Sequence, residues 1–217
     1  MAPYWSEFLL VALAHLIAVI SPGPDFAMVL RQSVTFGRRT GIWTSVGVGA
    51  GILVHVTYSL LGIGLLVRSS VLAFGILKWL GALYLAWIGF RALRTRQAPG
   101  AEGGAAAVAA TPARSEIPRR RGALVTGFLT NALNPKATLF FVALFSVVIN
   151  PRTPVAIQTG YGIWMALVTM GWFMLVALFF SQERVRTGFL RFGHWFERAM
   201  GVILLALGAR LALATVR

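Results

Sequence analysis

Six stretches of this chain, about residues 8–30, 41–66, 71–90, 122–148, 155–181 and 195–214, are each apolar over roughly the 20 residues that a helix needs to cross a hydrocarbon core. None shows the polar and apolar faces of a helix lying at a water boundary. The composition agrees, with 58% of residues hydrophobic and 12% charged, where a soluble domain carries about 25% charge. We therefore expect an all-α integral membrane protein with six transmembrane helices, its 217 residues divided into spans rather than globular domains. The opening "MAPYWSEFLL" lacks the basic start of a cleaved signal, so the first apolar run is expected to remain in the mature chain.

The formal net charge of +14 is distributed unevenly between the loops. Arg31, Arg38 and Arg39 follow the first span. Arg91, Arg94, Arg96, Arg114, Arg119, Arg120 and Arg121 follow the third, and Arg184, Arg186, Arg191 and Arg198 surround the turn into the sixth. The opposite side holds only Arg68, Arg152 and Arg217. Positive charge gathers in cytoplasmic loops, which places both termini outside and argues against a nucleic-acid surface. Trp5, Trp43, Trp79, Trp164, Trp172 and Trp195 read as interfacial anchors, and Lys78 and Arg210 as side chains snorkelling at outer span ends. Gly47, Gly49, Gly51, Gly62 and Gly64 read as packing glycines.

Residues 96–121 are Ala/Gly/Pro-rich and bracketed by arginines, as a flexible cytoplasmic linker would be; their "RRR" can also meet anionic lipid headgroups. The linker separates a first three-helix repeat, 1–95, from a second, 122–217. Three spans per half require the halves to be inverted relative to each other. Their last spans are alike: Gly81, Leu85 and Ala86 align with Gly201, Leu205 and Ala206, and after a one-residue slip Gly89 and Arg91 align with Gly208 and Arg210. Their first spans are both broken, one by "SPGPD" (Ser21 to Asp25) and the other by "NALNPKA" (Asn131 to Ala137). Broken helices in matching positions of inverted halves point to a transporter's binding site.

Pro22 and Pro24 free carbonyls around Ala18 to Ser21, and Pro135 breaks the fourth span likewise between Asn134 and Lys136. Unpaired peptide groups persist in a bilayer only beside protein or a polar cavity. Gly23 gives the first break freedom of angle, and Asp25 stands where it can cap the restarting helix or face a substrate. Asp25 and Lys136 are costly inside a membrane and are expected to lie near each other. They either form a structural ion pair or hold a zwitterion. In the second case Asp25 takes an ammonium or a coupling proton, while Lys136, Asn131 and Asn134 take a carboxylate. Lys136 snorkelling to an interface is the third reading. His55 either relays protons with Asp25 or sits neutral, hydrogen-bonded to a neighbouring helix; His15 carries the same ambiguity.

"SPGPDFAMVLRQSVTFGRRTGIWTSVGVGAGILVH" and "GFLTNALNPKATLFFVALF" resemble the two signatures of the LysE/RhtB family of bacterial amino-acid exporters, in the LysE superfamily. "LKWLGALYLAWIGFRALR" and "GVILLALGARLAL" are similar to its third-span and C-terminal patterns. The resemblance implies a six-helix exporter in the bacterial inner membrane, driven by the proton motive force, with a homodimer possible. It also implies that Pro22, Gly23, Pro24, Asp25, Asn134, Pro135 and Lys136 occupy signature positions; Ser21 and Asn131, which stand beside them in the breaks, complete the expected substrate site. Phe145-Ser146-Val147 stands where many members have a proline-glutamine pair, which bears on substrate choice.

An amino-acid exporter working by proton antiport is the leading reading. The alternative is a metal-ion or other small-solute exporter or channel of the same superfamily. Without cysteine, and with histidines scattered at His15, His55 and His194, no metal site or cofactor is expected. An intramembrane enzyme would need a nucleophile–base pair, and no such pair, P-loop or dinucleotide fingerprint appears.

Overall fold

The computed structural model describes residues 2–69, 71–94, 118–150, 152–180 and 182–213, and among them every regular element is helical. In chain order these are α1 (Ala2–Ile20), α2 (Pro24–Phe36), α3 (Arg38–Ser69), α4 (Val71–Leu93), α5 (Arg120–Ala132), α6 (Pro135–Ala143), α7 (Val155–Phe179) and α8 (Glu183–Leu213). Residues 95–117, which include most of the expected linker 96–121, lie outside the described residues, as do the surroundings of Gly62 and Gly64 and the side chains of Arg68, Lys78, Arg184, Arg186 and Arg191.

Among the described residues, α3 over Arg38–Leu61 and α7 are each long and apolar enough to cross a membrane. Two further spans arise if each bent pair is one crossing: α1 with α2, bent by 51°, and α5 with α6, bent by 54°. The breaks fall where proline removes a backbone donor. Pro22 and Pro24 cannot serve the carbonyls of Ala18 and Ile20, and each new helix opens with a proline in its first turn. At the other end of α2 the chain reverses through Gly37, whose φ of 89° suits a residue without Cβ. After α6 the helix widens into a π turn over Leu144–Val148, closed by Ile149 N–H on the Leu144 carbonyl at 3.2 Å. That turn covers Phe145, Ser146 and Val147.

Two details depart from expectation. Helix α8 begins at Glu183, well before residue 195, because arginine is a good helix former and the basic stretch simply continues the helix; hydropathy marks the apolar part, not the helix end. Trp164 and Trp172 lie inside α7 and are partly buried, whereas Trp5, Trp79 and Trp195 are exposed as anchors would be.

Helix α3 is the central post. It runs parallel to α5, with Gly47 against Leu124 and Phe128 and Gly51 against Asn131. It runs antiparallel to α7, with Gly41 beside Ala177, Gly49 beside Met170 and Gly162 beside Val56. A methyl at Gly47 would overlap the Leu124 carbonyl oxygen, and one at Gly127 that of Thr44, so these two helices touch backbone to backbone. In a bilayer such close packing substitutes for the absent hydrophobic drive. Helix α1 runs parallel to α7: the Tyr161 hydroxyl donates to the Tyr4 carbonyl at 3.0 Å, Phe8 meets Trp164 edge-on, and His15 bonds Thr169. Helices α4 and α8 cross antiparallel at Gly89 and Gly201. One buried cluster gathers Val11, Ile52, Phe140, Phe141, Met165 and Met200; a second gathers Phe26, Leu30, Val48, Phe173 and Phe180.

Adding a methyl at the α3–α5 contact forces backbones apart, and overpacking of this kind costs about 1–3 kcal/mol. Gly47→Ala is therefore expected to lower the unfolding temperature in detergent clearly. Gly160→Ala, where a methyl meets only open space, should leave it within the small shifts of a surface substitution.

Candidate functional site

The two breaks face each other inside the bundle. Asn131, in the last turn of α5, donates from Nδ2 to Asp25 Oδ2 at 2.9 Å, and Asn134 Nδ2 donates to the same oxygen at 3.0 Å. Asn134 also caps α6, its Oδ1 accepting from Lys136 N–H at 3.0 Å. Lys136 Nζ donates to Ser21 Oγ at 3.1 Å and acts electrostatically on the Asp25 carboxylate. This balance has a cause. A carboxylate in the first turn of α2 is favoured by the helix dipole, whereas an ammonium in the first turn of α6 is disfavoured and needs a nearby anion.

Three sequence expectations change in detail. Asp25 does not cap α2, whose N-cap is Gly23 with no side-chain cap bond. Gly23 is extended (φ −166°, ψ −169°), which any residue can adopt, so conformational freedom is not its contribution. The amides of Asn131 and Asn134, expected to take a solute's carboxylate, donate here to the carboxylate of Asp25.

His55 on α3 supports this arrangement from behind. Its Nε2–H donates to the Asn131 carbonyl at 2.9 Å, which assigns that proton, and Nδ1 lies 2.7 Å from the Tyr58 hydroxyl, whose one proton is shared between Nδ1 and the Thr138 carbonyl at 3.3 Å. The ring stacks on Phe141, 5.5 Å between centroids at 11°. This is the hydrogen-bonded arrangement between neighbouring helices; His55 does not line the cavity. Gly51, one turn earlier, leaves room for the Asn131 amide, since a methyl there would lie 2.8 Å from Asn131 Oδ1.

A cavity of about 60 Å³, measured as space open to the centres of waters, lies where the two apolar clusters meet. At about 10–15 Å³ per water by that measure, it holds a handful of waters or a small solute. Ser21, Gly23, Pro24, Asp25, Asn131, Asn134 and Lys136 line it, while Pro22 and Pro135 shape the breaks without lining it. Apart from His15 and Thr169, the remaining wall is apolar and aromatic, including Val19, Ile52, Phe140, Phe141, Phe173 and Met200. Sequence reasoning missed these, because apolar residues on spans carry no periodic signal of which face turns inward. Asp25 Oδ1 and Asn131 Oδ1 are buried without a hydrogen-bond partner. Among the described residues no three His, Cys, Asp or Glu side chains converge as a metal site would require.

Two interrupted helices meeting at a small charged cavity in an apolar bundle have the build of a solute translocator. The LysE type translocator family matches residues 16–215, and the chain belongs to that family. It is 30% identical over 207 residues to the threonine efflux proteins of Salmonella typhimurium and Escherichia coli, covering 95% of this chain and 98% of theirs. It is 30% identical over 151 residues to the homoserine/homoserine lactone efflux protein of Salmonella typhimurium, covering 70% of this chain and 67% of that one. No solved structure gives a significant match.

Removing the Asn134 side chain deletes a helix cap, worth about 0.5–2 kcal/mol. It also deletes one of two donors to a buried carboxylate oxygen, worth about 1–3 kcal/mol. Asn134→Ala is expected to lose at least about 1.5 kcal/mol of stability, read as a lowered unfolding temperature in detergent.

Proposed function

We propose that the chain exports small amino acids across the bacterial inner membrane as a secondary transporter, with inward proton flow as the driving reaction. The observation that carries this reading is the meeting of the two breaks. Asp25 holds one oxygen against two amides and leaves the other without a partner at the cavity, where an ammonium or a proton would find it. Lys136 stands at the same cavity to meet a carboxylate. The similarity to efflux proteins named for threonine and homoserine supports the amino-acid class.

In this reading the chain crosses the bilayer six times, with α4 and α8 as the third and sixth spans. The halves 1–95 and 122–217 form two inverted repeats. The packing directions support it: α3 is antiparallel to α7 and α4 to α8, as alternating crossings require. The offset that carries Gly23-Pro24-Asp25 onto Asn134-Pro135-Lys136 also carries Gly89 onto Gly201 after a one-residue slip. This register differs by about two turns from the one suggested by matching Gly81 with Gly201. The exposed Arg38, Arg39, Arg119, Arg120 and Arg121 sit at the neighbouring starts of α3 and α5, which we assign to the cytoplasmic face. Alternating access then rocks one half against the other around the breaks.

Proteoliposomes loaded with single amino acids and given a pH gradient test the function. Efflux above empty-vesicle controls is expected for at least one small amino acid. Asp25→Asn should abolish that efflux while inserting normally, and transport at the normal rate would refute the role of Asp25. The chain lacks cysteine, so topology can be read from single replacements. Arg152→Cys should react with an impermeant maleimide on intact spheroplasts, and Ala107→Cys only after permeabilisation.

A further inference from the structure

His15 on α1 and Thr169 on α7 form a second polar point in the cavity wall, apart from the charged one. Both line the cavity, and both are nearly fully buried, at 2% and 1% exposure. His15 Nε2 lies 3.0 Å from Thr169 Oγ1, which engages one ring nitrogen. The other, Nδ1, is buried with no hydrogen-bond partner. The ring is held among aromatics: Trp164 at 5.8 Å, Phe140 at 6.4 Å and Phe141 at 6.4 Å between centroids. A polar atom left unpaired in such surroundings is costly, so the position favours whatever partner completes it.

We propose that His15 and Thr169 form a subsite for a hydroxyl on the side chain of a small amino acid. This rests on the reading of the cavity as an amino-acid site and names the side-chain class that the site takes. The tautomers narrow the chemistry. If Nε2–H donates to Thr169 Oγ1, Nδ1 offers a lone pair and needs a donor. If the Thr169 hydroxyl donates to Nε2, Nδ1 carries the hydrogen and needs an acceptor. A hydroxyl is both donor and acceptor and completes either arrangement; a methyl completes neither. A second carboxylate would serve only the second tautomer, and an ammonium only the first. The small cavity further restricts the side chain to a few atoms. The ammonium and carboxylate of the solute then face Asp25 and Lys136, with the hydroxyl toward α1 and α7.

The test compares pairs that differ by one hydroxyl: threonine with valine, its near-isostere, and serine with alanine. A site built around a hydrogen bond rejects the analogue lacking it far more strongly than one that only measures size. In proteoliposomes the wild-type protein is expected to move the hydroxylated member at least about tenfold faster in one pair or both. Thr169→Val and His15→Phe should bring that ratio to within about twofold, and Thr169→Ser should restore it. On the wild-type protein alone, serine or threonine should raise the unfolding temperature in detergent more than alanine or valine. Equal transport and equal thermal protection within both pairs overturn the subsite while leaving an amino-acid transporter in place. A ratio unchanged in both variants overturns it too and leaves His15 a packing residue. Failure of every amino acid to move overturns the transporter reading and the subsite with it.

Discussion

A hydrocarbon interior solvates neither a bare peptide group nor a carboxylate, and this protein has placed both at the same depth of the bundle. The two interruptions can persist there because each supplies what the other lacks. The first brings an anion in the opening turn of α2, the second two amides and an ammonium in and beside the opening turn of α6. Asp25 Oδ2, bonded by Asn131 and Asn134, is the point at which they join. Separated, each would leave buried polar groups unpaired at a cost of several kcal/mol. The fold around them is best understood as the packing needed to keep that junction closed to lipid.

Helix α3 does most of this work. Its bare face at Gly47 and Gly51 lets α5 approach until backbones touch, which fixes the depth at which Asn131 sits. One turn further on, His55 grips the Asn131 carbonyl, and Tyr58 holds His55 in turn. The segment "GVGAGILVHVTYS" thus sets both the spacing of the bundle and the aim of one amide. Asn134 is similarly doubly employed: one end of its amide starts α6 and the other meets the carboxylate. Helix start and charge placement are therefore mechanically one feature at that residue.

The broken helices were legible because proline inside a long apolar run has few other meanings, and charges there are expensive enough to demand a partner. What each amide bonds was not legible, since that depends on the rotation of α5 about its axis, which glycine packing decides. His15 and Thr169 were harder still. They lie 154 positions apart, on helices whose outward and inward faces are equally oily, so no periodicity marks the face that carries them. In a soluble protein the polar side of a helix reveals its buried side; in a bilayer that signal is lost. The early start of α8 escaped for a related reason, because hydropathy reports where lipid ends and arginines extend a helix beyond it.

At Gly23 the cavity is walled by main chain. A methyl there would meet Lys136 Nζ at an ordinary 3.5 Å, so the position is bare without being crowded. Nearby, two prolines leave the carbonyls of Ala18 and Ile20 without their usual helical donors. Whatever a solute gains from such groups belongs to the peptide itself and survives every exchange of side chain. If the cavity is the solute site proposed above, an alanine scan would therefore map only the side-chain part of what a solute meets there.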